Sequence, residues 1–153
     1  MKFWFVLLGA FYFISCSSPK NERPPNIIFI LTDDQGYGDL GIYGATDIRT
    51  PNLDQMAREG ALFTSYYATQ PVCSASRASI LTGCYPDRIG VHNAYSPGSK
   101  VGLHPEETTL AELLKEQGYQ TGIFGKWHLG DAPEFMPRNQ GFDEFYGILY
   151  SND

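Results

Sequence analysis

The chain has 153 residues, enough for one modest domain with a core of its own. Hydrophobic residues at 42% and aromatic residues at 14% exclude a disordered chain. With a net charge of −6 and no basic run, it lacks the electrostatic footprint of a nucleic-acid binder. An anionic substrate stays compatible with that charge, because a bound cation can invert the potential of a site locally.

In chain order, Met1-Lys2 supplies a basic start and Phe3 to Ile14 an apolar run interrupted only by Gly9 and Ala10. That run is shorter than the roughly 20 residues needed to span a bilayer, so residues 1–15 read as an export signal. Phe13-Ile14-Ser15-Cys16 resembles a bacterial lipobox, in which the cysteine is lipidated and becomes the new N-terminus, with Phe13 where an aliphatic residue is usual. Plain secretion, with Cys16 an ordinary thiol or lost, is the other reading. Both place the protein outside the cytoplasm, in the periplasm, at the cell surface or secreted, and touching membrane only through a lipid on Cys16. Residues 16–25, polar and bearing Pro19, Pro24 and Pro25, read as a tether.

Asn26 to Leu31 is an apolar, β-branched run without polar alternation, which predicts a strand buried on both faces of a sheet. Thr32-Asp33-Asp34 follows, then a loop with Gly36, Gly38, Gly41 and Gly44. Thr50-Pro51 opens a helix that Gly60 closes. Ala61 to Ala68 reads as a strand or an extended segment. Ser74 to Leu81 is predicted helical, ending at Thr82-Gly83, and Pro86 to Pro105 reads as loop. Thr109-Leu110-Ala111-Glu112 is a capping-box pattern that starts a helix stopping at Gly118. Tyr119 to Gly125 then reads as a second strand, delivering Lys126-Trp127-His128 to its end. The order strand, loop, helix, helix, strand predicts an α/β fold. Ligands in such folds sit beyond the carboxyl ends of strands, where both Asp33-Asp34 and Lys126-His128 fall.

Three groups of residues carry chemistry. Asp33-Asp34 offers two hard oxygen ligands suited to Ca²⁺ or Mg²⁺, or else forms a surface turn. His92, His104 and His128 lack the close spacing of a zinc site. Cys73 lies at the N-terminal edge of its helix, where free N–H groups favour a thiolate or a bound anion, with Arg77 one turn on along the same face. A disulfide from Cys73 to Cys84 is rejected if the segment between them is helical: the separation is then roughly 16 Å at about 1.5 Å per residue, against about 4.4–6.8 Å for a bridge. A small buried hydrophobe and an ordinary thiol nucleophile are the other readings of Cys73. Extended backbone would point Lys126 and His128 to one face and Trp127 to the core; a structural Trp flanked by solvated polar residues is the bland alternative.

Cys73-Ser74-Ala75-Ser76-Arg77-Ala78-Ser79-Ile80-Leu81-Thr82-Gly83 resembles the signature of type I sulfatases, members of the alkaline phosphatase superfamily. Asn26 to Asp39 is similar to the opening strand of that family, and Gly125 to Gly130 to its lysine–histidine segment. Gly141-Phe142-Asp143 and Tyr150 to Asp153 are similar to family segments of architectural character. The resemblance covers Pro25 to Asp153 and implies a mixed, largely parallel sheet sandwiched by helices, of which residues 26–153 form the N-terminal part of the catalytic domain. It implies that a maturase oxidises Cys73 to formylglycine. Ala75, where Pro is more usual, suits an oxygen-independent maturase better than an oxygen-dependent one.

By the same resemblance, Asp33 and Asp34 bind Ca²⁺, with Mg²⁺ second, together with the formylglycine made from Cys73. A hydroxyl of the hydrated aldehyde attacks sulfur, Arg77 and Lys126 stabilise the developing charge, and His128 is the base that regenerates the aldehyde. The implied substrate is an aryl sulfate or a sulfated glycan. Rival readings are a phosphate mono- or diesterase of the same superfamily and a non-catalytic, surface-held glycan-binding protein. The family's remaining metal ligands and second domain lie later than Asp153, so the chain is read as an N-terminal fragment, inactive alone. His92, His104 and Cys84 match no catalytic position and are read as structural.

Overall fold

The computed structural model describes residues 23–151. The export signal, the lipobox with Cys16, most of the tether and Asn152-Asp153 lie outside the described residues. The described residues divide into two compact units, 23–61 and 62–151.

In the first unit, the run from Asn26 to Leu31 joins no sheet and is exposed, Ile28 to 84%. This corrects the expected buried strand. A continuous apolar run records that burial is favourable, but a strand exists only through a hydrogen-bonded partner, and no other described segment pairs with it. Two 3-10 turns follow, Tyr37–Asp39 and Gly41–Tyr43. The Asp39 carboxylate closes the first by accepting from the Gly36 N–H at 2.6 Å. Helix α1, Pro51–Glu59, begins with the expected proline and ends at Gly60. Thr50 does not cap it through its side chain. Its hydroxyl instead accepts from the Gly41 N–H at 2.8 Å and donates to Asp54 Oδ1 at 3.0 Å, while Ile42 N–H donates to the same oxygen at 2.8 Å. None of residues 23–61 is buried.

The second unit contains helix α2, Cys73–Thr82, helix α3, Leu110–Glu116, and strands β1, Gly122–Lys126, and β2, Glu144–Ile148. Helix α2 stops where Gly83 turns into the left-handed region at φ 68°, and its N–H donates to the Ser79 carbonyl. Both halves of the capping box at α3 are formed: Glu112 N–H donates to Thr109 Oγ1 at 3.2 Å, and Thr109 N–H to Glu112 Oε2 at 2.8 Å. Strands β1 and β2 pair in parallel, from Gly122 opposite Glu144 to Lys126 opposite Ile148. This two-stranded parallel sheet, with helices in the same unit, makes the class α/β. Segment 127–143 makes the crossover that a parallel pair requires, through 3-10 turns at Pro133–Phe135 and Pro137–Asn139. At Gly147 the two backbones approach so closely that a Cβ would lie 1.8 Å from the Gly125 carbonyl oxygen, which only glycine avoids. Residues 61–68 form neither strand nor helix, and Phe63, Tyr66 and Tyr67 are exposed. The expected loop from 86 to 105 holds one 3-10 turn, Pro86–Ile89.

The start of the strand pair is fixed by polar groups. Asp143 and Glu144 donate their N–H groups to the Thr121 carbonyl, and Thr121 N–H donates to Asp143 Oδ2 at 2.9 Å. Lys115 of α3 meets the other Asp143 oxygen at 2.8 Å. That hydrogen bond, with the one from the Thr121 backbone, lowers the Asp143 carboxyl to about 2.

The core joins Ala75 and Ala78 of α2, Val91 and Leu103 of the long loop, and Trp127 and Leu129 beyond β1. Trp127 is 1% exposed, donates its indole N–H to the Phe135 carbonyl at 2.9 Å, and meets Phe142 edge to face at 6.2 Å. Each large side chain buried this way contributes roughly 1.5–3 kcal/mol. The consequence for function is positional, because one core carries both the first turn of α2 and the end of β1.

Candidate active site

Cys73 is the first residue of α2 and is half-buried. The unpaired N–H groups of a first helical turn and the positive end of the dipole create an environment for negative charge there. Lys126, the last residue of β1, brings its ammonium 3.5 Å from Cys73 Sγ. Arg77, one turn along α2, donates a guanidinium N–H to the Lys126 carbonyl at 2.5 Å. Three of the residues singled out in the sequence thus come together, a cysteine and two cations on one helix start and one strand end. Cys73 and Cys84 are both free thiols.

His128 departs from the extended backbone expected of it. Trp127 and His128 still donate their N–H groups to the carbonyls of Ile148 and Leu149, at 2.9 and 2.8 Å, but His128 adopts φ 63°, in the left-handed region. Strand alternation therefore does not present Lys126 and His128 together, although Trp127 is buried as its position predicts. A left-handed non-glycine residue costs about 1–3 kcal/mol and persists only where its surroundings hold it. Here they do. Ser74, fully buried beside Cys73, donates its hydroxyl to the His128 carbonyl at 2.6 Å and accepts from the Tyr95 N–H at 3.0 Å. The His128 ring, 5% exposed at the residue level, places Nε2 2.9 Å from the Tyr95 carbonyl and meets the Tyr150 ring edge to face at 5.4 Å. Burial raises both the Tyr95 and the Tyr150 phenol, so each is a neutral hydroxyl near pH 7.

Sequence reasoning missed Ser74, Tyr95 and Tyr150. Ser74 lies inside the recognised motif, and its position next to Cys73 was an available signal. Tyr95 acts through its backbone from a loop, which leaves no trace in residue type.

Asp33 and Asp34 belong to the first unit and are exposed. Asp34 adopts φ 57°, and with His128 it completes the positive-φ non-glycine residues among the described residues. Two carboxylates fit a hard divalent cation in donor type, but Ca²⁺ takes about 6–8 oxygens, so further ligands are required. Among the described residues no group of three or more His, Cys, Asp or Glu is gathered for a metal. His92 Nδ1 lies 2.8 Å from Asp87 and His104 Nδ1 4.0 Å from Glu106, all of them exposed.

Comparison with known proteins places the chain in a family. The Sulfatase profile covers residues 25–153. N-acetylgalactosamine-6-sulfatase of Canis lupus familiaris is 53% identical over 133 residues, covering 82% of this chain and 26% of that protein. Arylsulfatase A of Homo sapiens is 52% identical over 134 residues, covering 86% of this chain and 26% of that protein. The crystal structure of Ps i-CgsB superposes with a TM-score of 0.80 at 45% identity, over 84% of this chain and 29% of that one. The chain spans about a quarter of the length of the curated relatives it matches. A profile match running from residue 25 to residue 153, with relatives at 53% and 52% identity, shows that the chain belongs to the sulfatase family.

Proposed function

We propose that the protein is an exported sulfuric ester hydrolase acting on aryl or carbohydrate sulfate monoesters. Residues 1–15 are its export signal, with Cys16 a lipid-anchor site, and residues 26–153 the N-terminal part of its catalytic domain. The observation that carries the reading is the meeting of Lys126 Nζ with Cys73 Sγ at the head of α2, backed by Arg77. A helix start with a lysine beside it favours a tetrahedral oxyanion. The carbohydrate arm is supported by the name of the relative N-acetylgalactosamine-6-sulfatase.

The roles follow from the residues. Formylglycine, made from Cys73 by a maturase, supplies an oxygen nucleophile that can be released again, which a thiol cannot. Lys126 holds a sulfate oxygen and stabilises the charge that develops on it. Arg77 fixes the Lys126 backbone, through the carbonyl it binds, and adds positive charge at the same helix start. His128 removes the proton whose loss restores the aldehyde. Asp33 and Asp34 would hold Ca²⁺ in preference to Mg²⁺, and such a cation, when bound, would supply Lewis-acid chemistry.

The test is a parallel assay of the full-length protein on chromogenic aryl sulfate and aryl phosphate. Preferential sulfate release, falling about 10²–10³-fold in kcat/KM for Lys126→Ala as for loss of a charge-stabilising donor, is expected. Preferential phosphate release would assign the protein to phosphate ester hydrolysis. Saturable binding of sulfated polysaccharide with no ester cleaved would make it a binding protein.

A further inference from the structure

Ser74, Tyr95 and His128 form a closed cycle of three hydrogen bonds that spans distant parts of the sequence. The Ser74 hydroxyl donates to the His128 carbonyl at 2.6 Å, the Tyr95 N–H donates to the Ser74 oxygen at 3.0 Å, and His128 Nε2 lies 2.9 Å from the Tyr95 carbonyl. Each direction is forced. A backbone carbonyl only accepts and a backbone N–H only donates, so the single hydroxyl proton of Ser74 goes to His128 and its lone pair faces Tyr95. For the same reason His128 Nε2 must carry the ring proton, and in the neutral ring Nδ1 is then the nitrogen that accepts one. Ser74 is 0% exposed, so bulk water does not take over from its hydroxyl.

We propose that Ser74 is a positioning residue: through the His128 carbonyl and the Tyr95 backbone, its hydroxyl fixes the His128 ring as the Nε2–H tautomer, with Nδ1 as the proton-accepting atom. Its backbone is bonded directly to residue 73. The reacting residue and the base are therefore held by one side chain and one peptide bond, with no flexible link between them. The left-handed conformation of His128 fits this role, because a strained backbone keeps its carbonyl aimed only while a partner holds it. A plain core serine would not need to grip both the carbonyl of the base and the loop that orients the base's ring. The proposal rests on the reading of His128 as the base in sulfate-ester hydrolysis, but the tautomer stands apart from that reading.

The test uses the full-length protein, with rates normalised to the formylglycine found at position 73 by mass spectrometry, since Ser74 lies within the motif a maturase reads. A general base contributes about 10²–10⁴-fold. Ser74→Ala is expected to lose about 10–100-fold in kcat while kcat/KM stays within about threefold, because the misaligned base acts only after the alcohol has left. Ser74→Thr, which keeps the hydroxyl, recovers most of that loss. In a His128→Ala background, Ser74→Ala is expected to cost nothing further, because it acts through the missing ring. An undiminished kcat for Ser74→Ala, or a full additional loss in the His128→Ala background, would overturn the proposal. Should Ser74→Ala not fold, Ser74→Cys, a weaker donor of similar size, is read in the same way.

The second arm needs no activity. Nitrogen-15 NMR of the imidazoles should find His128 protonated at Nε2 in the wild-type protein, with the preference weakened in Ser74→Ala. An Nδ1–H tautomer in the wild type overturns the positioning role outright. Were a fully matured protein to release no sulfate from any ester, the sulfatase reading would fall, and the ring nitrogen alone would decide whether Ser74 holds His128.

Discussion

Residues 23–61 and residues 62–151 hold their candidate site residues by different means. In the first region no side chain is buried, and its turns and α1 are tied by the hydrogen bonds of Thr50, Asp54 and Asp39. In the second, Cys73, Ser74, Lys126 and His128 are carried on the core of Ala75, Ala78, Leu103, Trp127 and Leu129. Motifs of equal clarity in the sequence thus have unequal structural support. Packing fixes the lysine at the cysteine and the histidine at the serine, whereas the placement of Asp34 rests on a left-handed backbone in an exposed turn. Groups mounted on a packed core are preorganised for charge stabilisation. Carboxylates on an exposed turn are of the kind that a cation orders when it binds.

The largest test of that contrast is Trp127→Ala. Loss of this buried indole should destabilise the protein by about 3–5 kcal/mol in denaturant unfolding, and sulfate release should fall because the end of β1 is displaced from α2. A stability change under about 1 kcal/mol would show that the core does not carry the site. Next in size is Asp34→Gly. It relieves the positive φ and removes a carboxylate, so stability without Ca²⁺ should hold or rise by up to about 1 kcal/mol. The rise in Tm on adding Ca²⁺, expected for the wild-type protein, should shrink in the same variant. An equal calcium shift in both proteins would show that Asp34 is not a calcium ligand.

The smallest effect is electrostatic and belongs to the second region. The Asp143 carboxyl lies at about 2, below its ordinary 3.8, chiefly through the Lys115 hydrogen bond. A lowered carboxyl contributes stability above its unfolded value, and that contribution is lost as pH falls from about 4 through about 2. Lys115→Ala should raise the Asp143 carboxyl and flatten this part of the acid-unfolding profile. Since the pair is solvent-exposed, the change should be small and weaken with salt. A profile unchanged by the substitution would assign the lowered carboxyl to Thr121 alone.

How much was legible in the sequence depended on whether a signal was local. The bounds of α2 followed from the motif and from Gly83, and α3 from a capping box whose two halves both form. Strand β1 was readable from its apolar residues, but it runs Gly122–Lys126 where Tyr119 to Gly125 was expected, so Lys126 closes the strand instead of following it. Strand β2, Glu-Phe-Tyr-Gly-Ile, carries no continuous apolar run, and its identity comes from its partner. The same dependence on a partner explains why Asn26 to Leu31 reads as a buried strand yet joins no sheet among the described residues. His128 was placed as a candidate base, but its left-handed turn was not readable, because no residue type announces a conformation held by a serine 54 positions away. To the Ser74–His128 cycle Tyr95 gives only its backbone N–H and carbonyl, which almost every residue type carries.

The most direct measurement is mass spectrometry of the peptide bearing residue 73, taken from matured full-length protein that is turning over a sulfate ester. An aldehyde in place of the thiol, in proportion to the rate of sulfate release, is the predicted result. An intact thiol throughout, with sulfate still released at the full rate, would contradict it.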